Sequence, residues 1–97
     1  MERKRTRLEV IRDILLVIQA KNGRIKPTQI IYKSNLSPAM LKDYLSEILS
    51  RGLAKEKSAD SGKTYSLTEK GAKYLSEFRT VMNFMESFGL SENSAQG

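Results

Sequence analysis

Arg3, Lys4, Arg5 and Arg7 place four cations within five positions at the start of the chain. Guanidinium forks and ammonium groups so dense suit the holding of phosphate oxygens, the alternative being a solvated start that aids solubility. Further lysines recur where a polyanion could be met: Lys33, Lys42, and the group Lys55, Lys57 and Lys63 around a turn. The hydroxyls of Thr28, Ser37 and Ser46 add short donors to the same set. Catalytic chemistry finds little to work with. The chain has no His and no Cys, which excludes thiol nucleophiles, disulfides, Cys- or His-based zinc sites and an imidazole general base. The acidic residues are scattered, so no carboxylate metal site is expected and no cofactor is implied.

The balance of charge follows the same lead. Among 97 residues, 17 Lys and Arg face 11 Asp and Glu, a formal charge of +6. Residues 1–26 carry eight of the cations and three of the acids, so most of the excess lies in the first quarter. The run Ile14–Ile18 is too short to span a bilayer. Arg12 and Asp13 interrupt any signal-peptide core. A soluble protein of the cytoplasm, associated with the nucleoid, is the expectation.

The elements that must position these residues read as four helices and a hairpin in one domain. Thr6 with Glu9 forms a capping-box pattern, opening a first helix to Ala20 with Leu8, Ile11, Leu15 and Ile18 on one face and Val10, Ile14 and Val17 widening it. Asn22-Gly23 ends it, and Arg24-Ile25-Lys26 is extended before Pro27. Thr28 is expected to cap a short second helix to Tyr32 or Lys33, with Ile30 and Ile31 inward. After the turn Ser34-Asn35, Ser37-Pro38 gives a hydroxyl cap and a proline at the first position of a third helix, which runs to about Arg51. Gly52 stops it. Leu53–Lys57 and Lys63–Leu67 flank the turn Asp60-Ser61-Gly62, and Thr68 opens the last helix. Two helices joined by a tight turn and followed by a hairpin make the winged helix-turn-helix arrangement. The fold class expected is therefore mainly α with a small β-hairpin, plus a long C-terminal helix. The parts are a basic arm at 1–5, a winged helix-turn-helix domain at 6–68, a dimerisation helix at 69–90 and a disordered tail at 91–97. A plain helical bundle carrying a hairpin is the competing architecture.

The stretches Arg7-Leu8-Glu9-Val10-Ile11, Ile31-Tyr32, Asn35-Leu36-Ser37, Tyr44-Leu45 and Tyr65-Ser66-Leu67-Thr68-Glu69-Lys70-Gly71 resemble archaeal winged-helix proteins that bind DNA as dimers. These are the small basic chromatin-associated proteins known from Sulfolobus, and the resemblance covers roughly residues 5–88. It implies a last helix that pairs with its two-fold mate as an antiparallel coiled coil. Two features depart from that pattern. The tail after Gly89 is short, and the third helix is electrically neutral, Lys42 and Arg51 balancing Asp43 and Glu47.

On this reading the third helix turns Ser37, Ala39, Met40, Lys42, Asp43 and Ser46 toward a groove of DNA. Lys42 reaches phosphate or guanine, and Ala39 and Met40 offer apolar contact to a thymine methyl. The wing lysines Lys55, Lys57 and Lys63 grip backbone, as do the basic arm and, more weakly, Thr28 and Lys33. Tyr74, Leu75, Phe78, Val81, Met82, Met85 and Phe88 form the seam of a homodimer. The expected function is double-stranded DNA binding as a transcriptional regulator or chromatin-organising protein, with no enzymatic activity, membrane partner or small-molecule ligand. The rival is a winged-helix protein-interaction module in a larger assembly, which the neutral third helix suits.

Overall fold

A computed structural model describes residues 4–90. Helix α1 (Arg7–Ala20), α2 (Pro27–Ser34) and α3 (Pro38–Ser50) are followed by strands β1 (Ala54–Ala59) and β2 (Gly62–Leu67) and by helix α4 (Glu69–Ser87). Arg3 and the tail at 91–97 lie outside the described residues.

The caps place the helices. Thr6 accepts from the Glu9 amide at 3.2 Å, and Glu9 accepts from the Thr6 amide at 2.8 Å, so both halves of the capping box are present. Ser37 and Thr68 likewise accept from the amides of Met40 and Gly71. The second helix departs from the sequence reading. It begins at Pro27, one residue before the expected cap Thr28, which lies inside the first turn. Proline lacks the N–H that a first helical position would leave unpaired. The Gln29 side chain does the capping instead, accepting from the Lys26 amide at 3.0 Å. Asn35, at φ 56°, closes α2 in the left-handed region and sets the tight turn into α3.

One core joins these elements. Ile14, Leu15 and Ile18 of α1 pack with Ile25, Ile30, Leu41, Leu45, Ile48 and Tyr65, while Leu36 and Leu53 close it at either end of α3. Leu8, expected on the buried face of α1, is 57% exposed, and Glu9 beside it is buried. Leu8 sits in the first turn, beyond the edge of the core. Its carbonyl accepts from the Tyr74 hydroxyl at 2.8 Å.

Strands β1 and β2 pair antiparallel, Ala54 opposite Leu67 through Ala59 opposite Gly62. Ile25 bridges to Tyr65, so the extended piece before α2 adds a third, minimal strand. Two contacts tie the start of α4 to the turn that follows α3: Thr68 Oγ1 donates to the Gly52 carbonyl at 2.6 Å and Lys70 Nζ to the Arg51 carbonyl at 2.7 Å. Gly71 lies so close to this turn that only a glycine fits. A Cβ there would stand 2.0 Å from the Leu53 carbonyl oxygen. Beyond Leu75, α4 leaves the core and draws the molecule out to 51 Å along its long axis.

Candidate nucleic-acid interface

Helix α3 buries Leu41, Leu45 and Ile48 and leaves Ser37, Ala39, Met40, Lys42, Asp43 and Ser46 exposed. The outward face is therefore the one expected from its periodicity. Ser37 uses an oxygen lone pair as the cap of α3, which leaves its hydroxyl proton free to donate. Proline at the next position fixes the start of the helix, so the first turn is held rigid where a groove-inserted helix makes its base contacts. Thr28 and Lys33 are exposed at opposite ends of α2.

The hairpin separates its lysines. Register and alternation put Lys55 and Lys57 on one face with Thr64 and Ser66, and put Lys63 on the other with Glu56 and Tyr65. Lys63 lies 3.6 Å from the Glu56 carboxylate, whereas Lys55 and Lys57 have no ion-pair partner among the described residues. The buried Tyr65 hydroxyl donates to Glu56 at 3.1 Å. Burial first, and this carboxylate second, push the Tyr65 phenol up to about 12. The bridge at Ile25 brings in two cations that the sequence reading did not assign. Alternation about Ile25 turns Arg24 and Lys26 outward, onto the side carrying Lys55 and Lys57, and both are exposed. The signal was there in the pattern Arg-Ile-Lys, but it becomes meaningful only once that segment is known to pair with β2.

The arm behaves differently from the wing. Lys4 is exposed. Arg5 is half-buried and tied down at two points, donating to Asp13 at 2.9 Å and to the Asn35 carbonyl at 3.1 Å. Arg12 pairs with the same Asp13 and stacks 4.9 Å above the Phe78 ring. Arg7, in the first turn of α1, pairs with Glu47 of α3, which also accepts from Arg51 at 2.9 Å. These two guanidinium groups, Arg7 foremost, hold the Glu47 carboxyl below its ordinary range.

The proposed seam on α4 divides in two. Tyr74 and Leu75 are half-buried against the core of their own chain, and burial raises the Tyr74 phenol. Farther along, Val81 and Phe88 are exposed, Met82 and Met85 half-exposed. At 100° per residue, Tyr74, Phe78, Val81, Met85 and Phe88 fall on one stripe. Leu8, Leu53, Tyr74, Phe78, Val81 and Met82 line an apolar groove of about 500 Å³ along it. Phe84, not assigned from sequence, is exposed and packs its ring 5.0 Å from Phe88. Among the described residues no cluster of three or more acidic side chains is placed to hold a metal ion. No helix among them is long and apolar enough to cross a membrane.

A helix presented after a left-handed turn, followed by a twisted hairpin and backed by two further helices, defines a winged helix-turn-helix domain. The model of the winged helix-turn-helix family matches residues 4–86, and the chain belongs to that family. No curated protein matches the sequence. Solved structures do match in fold. Sso10a-2, a DNA-binding protein from Sulfolobus solfataricus, superposes with a TM-score of 0.73 at 21% identity, covering 95% of this chain and 94% of that one. SSV1 F-93 gives 0.63 at 22% identity, over 81% and 87% of the two chains. MepR, a transcription regulator of the Staphylococcus aureus multidrug efflux pump MepA, gives 0.71 at 17% identity, over 90% and 68%. MepR has also been solved in complex with DNA.

Proposed function

We propose that the protein binds double-stranded DNA as a homodimer through α3 and the wing, acting as a transcriptional regulator or chromatin-organising protein rather than as an enzyme. The observation that carries this reading is the distribution of unpaired cations. Arg5, Arg7, Arg12 and Arg51 all have carboxylate partners. Lys42 on α3 and Lys55 and Lys57 on the wing have none among the described residues, and all three are exposed. A lysine left unpaired on a rigid, protruding element is suited to phosphate. The DNA-binding description of Sso10a-2 and the DNA complex of MepR support the same use of this fold.

The dimer rests on residues 69–90. Val81, Met82, Met85 and Phe88 extend beyond the domain that Tyr74 and Leu75 help to pack, and a two-fold mate would bury them. Transcriptional and architectural roles share this chemistry and differ in whether Ala39, Met40, Lys42 and Ser46 read bases.

The test is an electrophoretic shift with random duplex DNA at two or more ionic strengths. With about three phosphates neutralised per protomer, the dimer releases on the order of six counterions, and log K falls with log salt at a slope of about −5. Lys57→Ala removes one contact from each subunit and makes the slope shallower by about 1–2. No binding at low salt, or a slope untouched by Lys42→Ala and Lys57→Ala, overturns the proposal in favour of a protein-docking module.

A further inference from the structure

Arg7 occupies an awkward place for a cation. It is the first residue of α1, at the end where the helix dipole is positive and a positive side chain is disfavoured. Its compensation comes from another element, the carboxylate of Glu47 on α3. Glu47 does not depend on Arg7 in turn. Its second partner, Arg51, is one helical turn away on α3 itself, with Nε at 2.9 Å. The arrangement is therefore asymmetric. If Arg7 leaves, Glu47 keeps a charge-assisted hydrogen bond and is not stranded. The side chains of Arg7 and Arg51 are 60% and 62% exposed, whereas Glu47 is the more enclosed partner at 19%. Arg5 shows the contrasting case: it is bound at two points, Asp13 and the Asn35 carbonyl, and is less exposed.

On α3, Glu47 is one residue from Ser46 and one turn from Asp43, at the border of the outward face. A phosphate reaching that border would meet Arg7 already in place and an acid competing for it.

We infer that Arg7 is a phosphate contact held in reserve by Glu47, and that Glu47 thereby limits how tightly the protein grips DNA of any sequence. This deepens the DNA-binding reading and rests on it. An exposed ion pair of this kind contributes little to folding, so its exchange for a phosphate partner is nearly free of structural cost. The exchange is incomplete while Glu47 stays ionised, which the two guanidinium groups ensure. The partner is the phosphate backbone, because a lone side chain competing for a carboxylate carries no base information.

The experiment compares Arg7→Ala, Glu47→Gln and the double variant with their parent by fluorescence anisotropy on a random duplex across a salt series, all in an Arg51→Ala background, because Glu47→Gln would otherwise release Arg51 as well as Arg7. Circular dichroism confirms that each is folded. Glu47→Gln frees one guanidinium per protomer, so the dimer is expected to bind several-fold tighter, with a slope steeper by about 2. Arg7→Ala alone changes the slope little, and the double variant returns to the Arg7→Ala value. That non-additivity separates a specific exchange from the loss of negative charge, which would strengthen binding with or without Arg7. Should Glu47→Gln unfold the chain, Glu47→Asp carries the same comparison, since it keeps the charge and shortens the reach by one methylene. A gain that survives in the double variant, or no gain at all in a parent that binds duplex, overturns this inference and leaves the DNA-binding reading standing. Failure of every variant to bind overturns both.

Discussion

Replacing Gly71 with alanine should be among the most damaging single changes in the chain, although it adds only one methyl group. The added Cβ would stand 2.0 Å from the Leu53 carbonyl oxygen and 2.8 Å from Leu67 Cδ1. Ordinary contact between a carbon and a carbonyl oxygen is about 3.3–3.6 Å, so the helix or the peptide must retreat by more than 1 Å. The leucine methyl can turn aside, but the carbonyl cannot. Leu53 is buried, its amide donates to the Ile48 carbonyl at 3.0 Å, and its own carbonyl accepts from Thr68 at 3.3 Å. Overpacking of this kind costs about 1–3 kcal/mol, and loss of the Thr68 bond adds roughly 1 kcal/mol. At about 4–8 °C per kcal/mol for a domain this size, a total near 3 kcal/mol lowers Tm by about 12–24 °C. Thermal melts followed by circular dichroism at matched protein concentration measure it. Ala72→Gly, at an exposed neighbouring position, is the control and should cost about 1 kcal/mol through helix propensity alone. A Gly71→Ala protein melting within about 4 °C of wild type, less than 1 kcal/mol, would refute the packing argument.

Met82→Glu should place a charge in the proposed seam and give a folded monomer by sedimentation, whereas a wild-type chain already monomeric at micromolar concentration contradicts the seam. Tyr65 loses its proton near pH 10 when unfolded but near 12 when folded. The stability that its burial provides is therefore complete below pH 10 and declines as pH rises to 12, by up to about 2–3 kcal/mol. Denaturant melts of Tyr65→Phe against wild type across that range should show the variant lacking this share of the decline. Ser34 Oγ is buried without a hydrogen-bond partner among the described residues, so Ser34→Ala should leave Tm unchanged or raise it slightly. Lys63→Ala should shift the salt slope of DNA binding less than Lys57→Ala, because Lys63 already has Glu56 as a partner.

What the sequence revealed was mostly local. Thr6 with Glu9, Ser37-Pro38 and Thr68 announce helix starts because the cap and the amide it satisfies lie within three residues. The alternation of Tyr65 and Leu67, and the spacing of Leu41, Leu45 and Ile48, likewise declare a buried face without reference to any partner. Pro27 obeys two local rules at once: its ring forces Lys26 out of helix, and the same ring makes proline a good first helical residue. The features that escaped depend on contacts between distant segments. Arg7 meets Glu47 across 40 positions, and Ile25 meets Tyr65 across a similar span. Nothing in the spacing of Arg3, Lys4, Arg5 and Arg7 distinguishes cations facing solvent from those already matched with Asp13 and Glu47. Leu8 fits the periodic pattern and is still exposed, because periodicity does not say where the covering elements end.

The central claim is that α3 and the wing together form the DNA-binding surface. Backbone amide chemical shifts of the isotopically labelled full chain, recorded while a duplex is titrated in, test it most directly. The account predicts perturbations concentrated at Ser37–Ser46 and at Lys55–Lys57, with the groove formed by Leu53, Tyr74 and Met82 unaffected. Perturbations confined to the first residues through Arg7, with α3 and the hairpin unchanged, would contradict it.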